Sequence, residues 1–232
     1  MNLPDIPCFY DPKLMENSIL ELPDAEQHHA QHVLRLTIGS KILVSNGTGR
    51  LSKADIIHFK KKTFHYKETE NLINLAFSPF QSHIACGVLH QQVRMEWMIE
   101  KLVEIGVGSI FIVQNQRSQK KHFRIERLEK AAIAALKQSR KAFLPAIKAV
   151  TISELLALKF DQKLIALCTD PPEAPIQSIP PSGKRLITIG PEGDFTSEEH
   201  SLFVQHEFIP CSLGSERLRS ETAAIYALIK SL

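Results

Sequence analysis

Ile187-Thr188-Ile189-Gly190-Pro191-Glu192-Gly193-Asp194-Phe195-Thr196-Ser197-Glu198-Glu199 is the stretch on which the fold turns. An apolar run gives way to a tight glycine loop, and the loop to the start of a helix. Gly190 and Gly193 carry no Cβ, so a bound molecule can come close to the backbone there. Thr196 and Glu199 stand three residues apart, the spacing of a capping box, which predicts a helix that begins at that point. A second stretch, Ser212-Leu213-Gly214-Ser215-Glu216-Arg217-Leu218-Arg219-Ser220-Glu221-Thr222-Ala223-Ala224, follows the apolar run Phe208-Ile209-Pro210-Cys211 and again leads from strand through glycine into helix. In open α/β sheets ligands sit at the carboxyl ends of strands, so two such loops on neighbouring strands would enclose one ligand between them. The plainer alternative is two ordinary turns, because a glycine after a strand is common.

The chain before these loops alternates strand and helix. Residues 84–89 read as a buried strand, and Met95, Met98, Ile99, Leu102 and Val103 fall on one face of a helix that Gly106 ends. A second buried strand at 109–113, a helix over 125–141 and strands at 164–167 and 186–189 extend the pattern, which predicts a mostly parallel sheet. The proline-rich segment 170–181 reads as an extended surface loop. Up to about Asn74 the pattern is instead β-rich, with short runs at 41–44 and 54–57 separated by the turn-forming Ser45-Asn46-Gly47-Thr48-Gly49. One helix over 24–36 interrupts it, with Asp24 placed to cap its first turn and Val33 and Leu36 offering an apolar edge. The polar stretch Glu68-Thr69-Glu70-Asn71 marks the change of character, giving domains 1–74 and 75–232.

Composition narrows the function classes. At 232 residues, 44% apolar and 23% charged, the chain has ordinary globular usage and no apolar run long enough to cross a bilayer. Its start lacks the basic stretch and apolar run of a secretory signal, so a cytoplasmic protein is expected. Cys8, Cys86, Cys168 and Cys211 form no C-x-x-C pair, and His28 with His32 lacks a third ligand, so no metal is expected. The net charge of +3 permits nucleic-acid binding without requiring it. G-x-G-x-x-G, the phosphate loop and the G-x-S-x-G elbow are all absent, which disfavours a nucleotide-dependent oxidoreductase, a nucleoside triphosphatase and a serine hydrolase. Trp97 and the methionines beside it read as core or dimer surface.

Gly190-Pro191-Glu192-Gly193 and Leu218-Arg219-Ser220-Glu221-Thr222-Ala223 resemble the GPEG and LR-x-ETA motifs of the RsmE-type ribosomal RNA uridine-N3 methyltransferases of the SPOUT superfamily. His28-His29 with Val33-Leu34-Arg35-Leu36, the segment Glu100-Lys101-Leu102-Val103-Glu104-Ile105-Gly106-Val107, and Arg117-Ser118, Gln138-Ser139 and Arg140 support the likeness, which covers nearly the whole chain. Cys8 stands where the family usually has arginine, and Asp194 where it usually has glycine. The resemblance implies an α/β fold: a small PUA-like β-barrel, then a SPOUT-type domain with a C-terminal deep trefoil knot, paired as a homodimer. It further implies S-adenosylmethionine bound by Ile189, Gly190, Glu192, Gly193, Ser212, Leu213, Gly214, Leu218, Thr222 and Ala223. The substrate implied is small-subunit (16S) ribosomal RNA in an assembled 30S particle. The rival readings are a SPOUT enzyme with another RNA target and a catalytically inactive RNA-binding or assembly factor.

As uridine N3 loses its proton, negative charge spreads onto the flanking carbonyls, and a fixed cation there would stabilise the transition state. Arg219 is the candidate cation, with Glu221 orienting it through a bidentate pair or accepting the proton. A helix-start ion pair without a catalytic part is the competing account. For RNA contact the candidates are Arg35, Arg50, Lys60, Lys61, Arg117 and Arg140. Lys60 and Lys61 lie in the basic and aromatic run His58-Phe59-Lys60-Lys61-Lys62-Thr63-Phe64-His65-Tyr66, whose lysines could equally guard an exposed edge strand.

Overall fold

Two long strands that alternate buried and exposed positions over much of their length dominate the first sheet, and apolar runs such as those at 84–86, 110–113 and 186–189 form the centre of the second, as expected for sheets covered on one face and on two. The computed structural model describes residues 3–16, 19–60, 63–116, 123–169 and 171–232. The chain divides into two compact units, one made of Met1–Ser78 with Ile133–Leu144, the other of Pro79–Ala132 with Pro145–Leu232.

The first unit holds a five-stranded sheet of β1 (Cys8–Tyr10), β2 (Ile19–Glu21), β3 (Lys41–Ser45), β4 (Arg50–Lys60) and β5 (Thr63–Asn74), in the order β1-β3-β4-β5-β2. Only β1 and β3 run parallel. Phe9, Ile42, Val44, Ala54, Ile56 and Phe64 pack its core together with Tyr66, whose hydroxyl donates to Asp11 Oδ2 at 2.7 Å. The helix expected over 24–36 is shorter and less regular. α1 (Asp24–His28) continues as a π-helical turn, His29–Val33. Asp24 is its first helical residue and does not cap it, because Pro23 holds the N-cap position and the cap carries no side-chain hydrogen bond. Val33 is 61% exposed, so Leu34 and Leu36, not Val33, supply the apolar edge.

The segment Ile133–Leu144 belongs to this unit, although the sequence pattern assigns it to the region after residue 74. Lys137 Nζ donates to Glu26 Oε1 at 2.7 Å, Ser45 Oγ donates to the Lys141 carbonyl at 2.8 Å, and Ala142 packs with Leu43 and Leu51.

The second unit holds a six-stranded sheet of β6 (Ser82–Gly87), β7 (Ser109–Gln114), β8 (Ala146–Thr151), β9 (Gln162–Ala166), β10 (Arg185–Ile189) and β11 (Ile209–Cys211). Its order is β11-β9-β10-β6-β7-β8, and every neighbouring pair is parallel. α2 (Gln92–Ile105) buries the five apolar residues named from spacing and ends at Gly106, whose φ of +114° only glycine adopts readily. α3 (Ile125–Ser139), α4 (Ile152–Leu156), α5 (Ser197–Gln205) and α6 (Ser220–Lys230) complete the unit, with α3 continuing into the segment grouped with the first.

β8 and α4 are absent from the sequence reading. β8 is an edge strand with four of its six residues exposed and a lysine near its centre, so it lacks the apolar run that marked its neighbours. The proline-rich segment is more than a surface loop: Ile176 is fully buried in a single 3-10 turn, and the buried Arg185 guanidinium donates to the Ile179 carbonyl at 2.8 Å. Among the described residues no helix is long and apolar enough to cross a membrane.

Candidate active site between the two glycine loops

Ile189 lies in register with Cys86 on one side and Ala166 on the other, and Cys211 with Ala166. β6, β9, β10 and β11 therefore end level with one another. β10 is inserted between β9 and β6, which makes this edge a switch point in the strand order, where parallel sheets bind ligands.

The loop after β10 is fixed at several points. Asp194 N donates to the Pro191 carbonyl at 3.0 Å, closing a tight turn. Asp194 itself sits at φ +59°, which accounts for a glycine being usual there, and its Oδ1 accepts from Phe195 N at 2.8 Å. Asp tolerates this left-handed conformation better than most side chains because such local bonds satisfy it. The capping box forms as the spacing requires: Glu199 N donates to Thr196 Oγ1 at 3.2 Å and Thr196 N to Glu199 Oε2 at 2.9 Å. The other Glu199 oxygen accepts from Gln116 N at 2.8 Å, which ties the loop to the chain leaving β7. A Cβ on Gly87 would lie 2.6 Å from Pro191 N and Cδ, so that glycine lets the loop lie directly on the end of β6.

The loop after β11 is pinned from the proline-rich segment, since Ser212 N donates to the Ala174 carbonyl at 2.8 Å and Ile176 N to the Ser212 carbonyl at 3.0 Å. Gly214 takes φ +126°, another glycine-favoured conformation. Between the two loops lies a cavity of about 580 Å³. Seven of the ten residues expected around a cofactor line it: Ile189, Gly190, Glu192, Leu213, Gly214, Leu218 and Ala223. Gly193, Ser212 and Thr222 do not. Ser212 is buried beneath its loop with Oγ accepting from Gly214 N at 3.1 Å, and Thr222 is exposed on α6. Leu167, Cys168 and Arg94 also line the cavity, and none of them carried a sequence signal.

Arg219 is at the cavity wall, exposed, in the N-cap position of α6. The expected bidentate pair with Glu221 is not made. Glu221 turns instead to Arg94 on α2, receiving Nε at 2.9 Å and Nη2 at 2.5 Å, while Arg94 Nη1 donates to Glu192 Oε1 at 2.9 Å. Burial would raise the Glu221 carboxyl pKa, but the Arg94 hydrogen bonds, its own backbone N–H and the nearby guanidinium charges outweigh this and hold it below the ordinary value. A carboxylate so engaged is a poor proton acceptor. Arg219, by contrast, makes no salt bridge among the described residues.

The RNA-contact candidates divide. Arg50 is buried, donating from Nε and Nη2 to Glu68 Oε1 at 3.0 and 2.7 Å beside Ser52 Oγ at 2.6 Å, so it serves an internal ion pair and is not presented to a ligand. Arg35 and Lys60 are exposed, Arg35 at φ +50°. Arg140 is half-buried and bonded to Asp5 Oδ1 at 2.5 Å. In the basic and aromatic run, Phe64 and Tyr66 are core residues, leaving His58, Phe59 and Lys60 outward. Lys61 and Arg117 lie outside the described residues.

A family model described as an RNA methyltransferase domain matches residues 77–231, and one described as an RNA methyltransferase PUA domain matches residues 22–68. The ribosomal RNA small subunit methyltransferase E of Rickettsia conorii is 30% identical over 226 residues, covering 95% of this chain and 92% of that protein. Its counterpart in Buchnera aphidicola subsp. Acyrthosiphon pisum is 28% identical over 230 residues, covering 91% and 87%. Among solved structures, the ribosomal RNA small subunit methyltransferase E of Neisseria gonorrhoeae, bound to S-adenosyl methionine, superposes with a TM-score of 0.88 at 26% identity, over 97% of this chain and 95% of that one.

Proposed function

The chain belongs to the family of the ribosomal RNA small subunit methyltransferase E proteins, and from that membership we propose that it methylates N3 of a uridine in 16S ribosomal RNA with S-adenosylmethionine. The observation that carries this reading is the cavity between the two glycine loops, whose volume suits a nucleoside-sized ligand and whose lining includes Gly190, Leu213 and Gly214 from both loops. S-adenosylmethionine would supply a methyl group on a sulfonium, open to in-line displacement. The protein's part is to seat that methyl group against N3 and to stabilise the uracil as it loses its imide proton. Arg219, exposed at the cavity wall and without a salt bridge among the described residues, is suited to face the developing charge on the uracil carbonyls. Glu221 is spoken for by Arg94, so proton removal falls to another acceptor, and solvent at the open side of the cavity is sufficient for a group as acidic as an imide.

In this reading residues 75–232 form the SPOUT catalytic domain and residues 1–74 the PUA-like barrel that contacts RNA. Arg35, Lys60 and Lys61 from the barrel, with Arg117 and Arg140 from beyond residue 74, are the phosphate contacts of this reading, on an assembled 30S particle in the cytoplasm. A trefoil knot is supported by two bonds on one strand end: Leu167 N donates to the Cys211 carbonyl, and Ser212 N to the Ala174 carbonyl. Residues 211–212 thus run between the two legs of the connection leaving β9. A homodimer is supported by Val93 and Trp97, 67% and 45% exposed one turn apart on α2.

The test is methyl transfer from labelled S-adenosylmethionine to 30S subunits lacking N3-methyluridine, with mapping of the labelled base. Arg219→Ala should lower turnover by a factor of roughly 10² to 10³ while leaving cofactor affinity nearly unchanged. Label at another nucleoside, or full turnover by the variant, contradicts the target or the role of Arg219 respectively.

A further inference from the structure

Arg94 belongs to none of the motifs, yet its side chain is bonded to groups on both walls of the cavity. It leaves the first turn of α2 and spends three N–H groups on two carboxylates, two on Glu221 at the start of α6 and one on Glu192 in the loop after β10. Glu192 is held further by His90 N at 3.1 Å. We propose that Arg94 is a positioning residue that locks the two glycine loops at one separation, so that the cavity is already formed when its ligand arrives. This rests on reading the cavity as the S-adenosylmethionine site.

Glu192 approaches the guanidinium from the loop after β10 and Glu221 from the first turn of α6, and without a cation between them they would repel each other and push the walls apart. A guanidinium is planar and presents its donors in a fixed fork, so it sets both the distance and the orientation of its partners; an ammonium supplies the charge but not the fork. The Glu221 side chain is 8% exposed, so this arm of the contact is well shielded from solvent. A cavity held in its bound shape spares the ligand the ordering of two loops, and the gain appears in affinity. Arg94 acts through Glu192 and Glu221, and its removal should therefore move cofactor binding and not the chemical step.

The experiment compares the wild-type protein with Arg94→Lys and with the double variant Arg94→Gln/Glu221→Gln, which removes the cation without stranding a buried carboxylate. Calorimetric titration with S-adenosylmethionine gives Kd, and turnover on 30S subunits at saturating cofactor gives kcat. The double variant should bind roughly tenfold more weakly and Arg94→Lys by a smaller factor, with kcat within about threefold of wild type, as expected for loss of one coupled contact. The melting temperature of the double variant should stay close to that of the wild type. Unchanged Kd in both variants, or a fall in kcat at unchanged Kd, overturns the proposal. A wild-type protein that binds no S-adenosylmethionine removes the reading of the cavity itself, a result told apart because it precedes any substitution.

Discussion

Single residues here change meaning with burial. Arg50 looks like any basic residue in a β-rich segment expected to contact RNA, yet its side chain is only 10% exposed and paired with a Glu68 side chain that is 5% exposed. Removing one partner strands the other charge, so Arg50→Met should cost about 3 kcal/mol in urea unfolding, whereas Arg50→Met/Glu68→Met should recover most of that loss. Glu221 carries a pH signature. Its folded pKa lies below the ordinary value of 4.5, so the stability it contributes is complete above that value and is lost as pH falls through the folded one. Melting curves from about pH 7 to about pH 3 should therefore show a steeper acid decline for the wild type than for Glu221→Gln, with the variant less stable at neutral pH. Equal slopes would mean that the Arg94 pair adds nothing to the fold.

The elements were legible wherever local chemistry dictated them. Thr196 and Glu199 specify the start of α5 by their own hydrogen bonds, and Thr196→Ala should cost about 1 kcal/mol by denaturant titration. Gly106 stops α2 for a reason equally local. Gly87 is different, because its need for glycine comes from Pro191, more than one hundred residues away in sequence. Gly87→Ala should displace the loop after β10 and weaken S-adenosylmethionine binding by about tenfold, read by titration calorimetry, with less effect on the fold than on the site. β8 escaped the sequence reading because an edge strand is held by its pairing with β7 and not by an apolar run. The helix starts at Asp24 as its sequence predicts, but without the Asp24 cap, and it ends early in a π-helical turn that has no strong local signal.

At the scale of the whole molecule, the first unit is discontinuous, taking Ile133–Leu144 from beyond the second unit's opening strands. A fragment of residues 1–78 would leave Leu43 and Leu51 without Ala142 and Glu26 without Lys137. It should show reduced cooperativity and a lower melting temperature than the same unit in the full chain, restored in part when the missing segment is fused to its end through a flexible linker; circular dichroism reads both. Short-range sequence features specify most of the parallel strands, the two glycine loops and the cap of α5, and they point to the strand ends where the cavity lies. Hydrophobic period, glycine and capping spacing act within a few residues and are written where they act. Long-range packing instead sets the bridge from Arg94 to Glu192 and Glu221, the burial of Arg50, the turn of Glu221 away from Arg219 and the segment past residue 132 that completes the first unit. Those outcomes depend on which distant groups meet, and the free energy of a charge or a close approach is fixed by its surroundings, not by its neighbours in the chain.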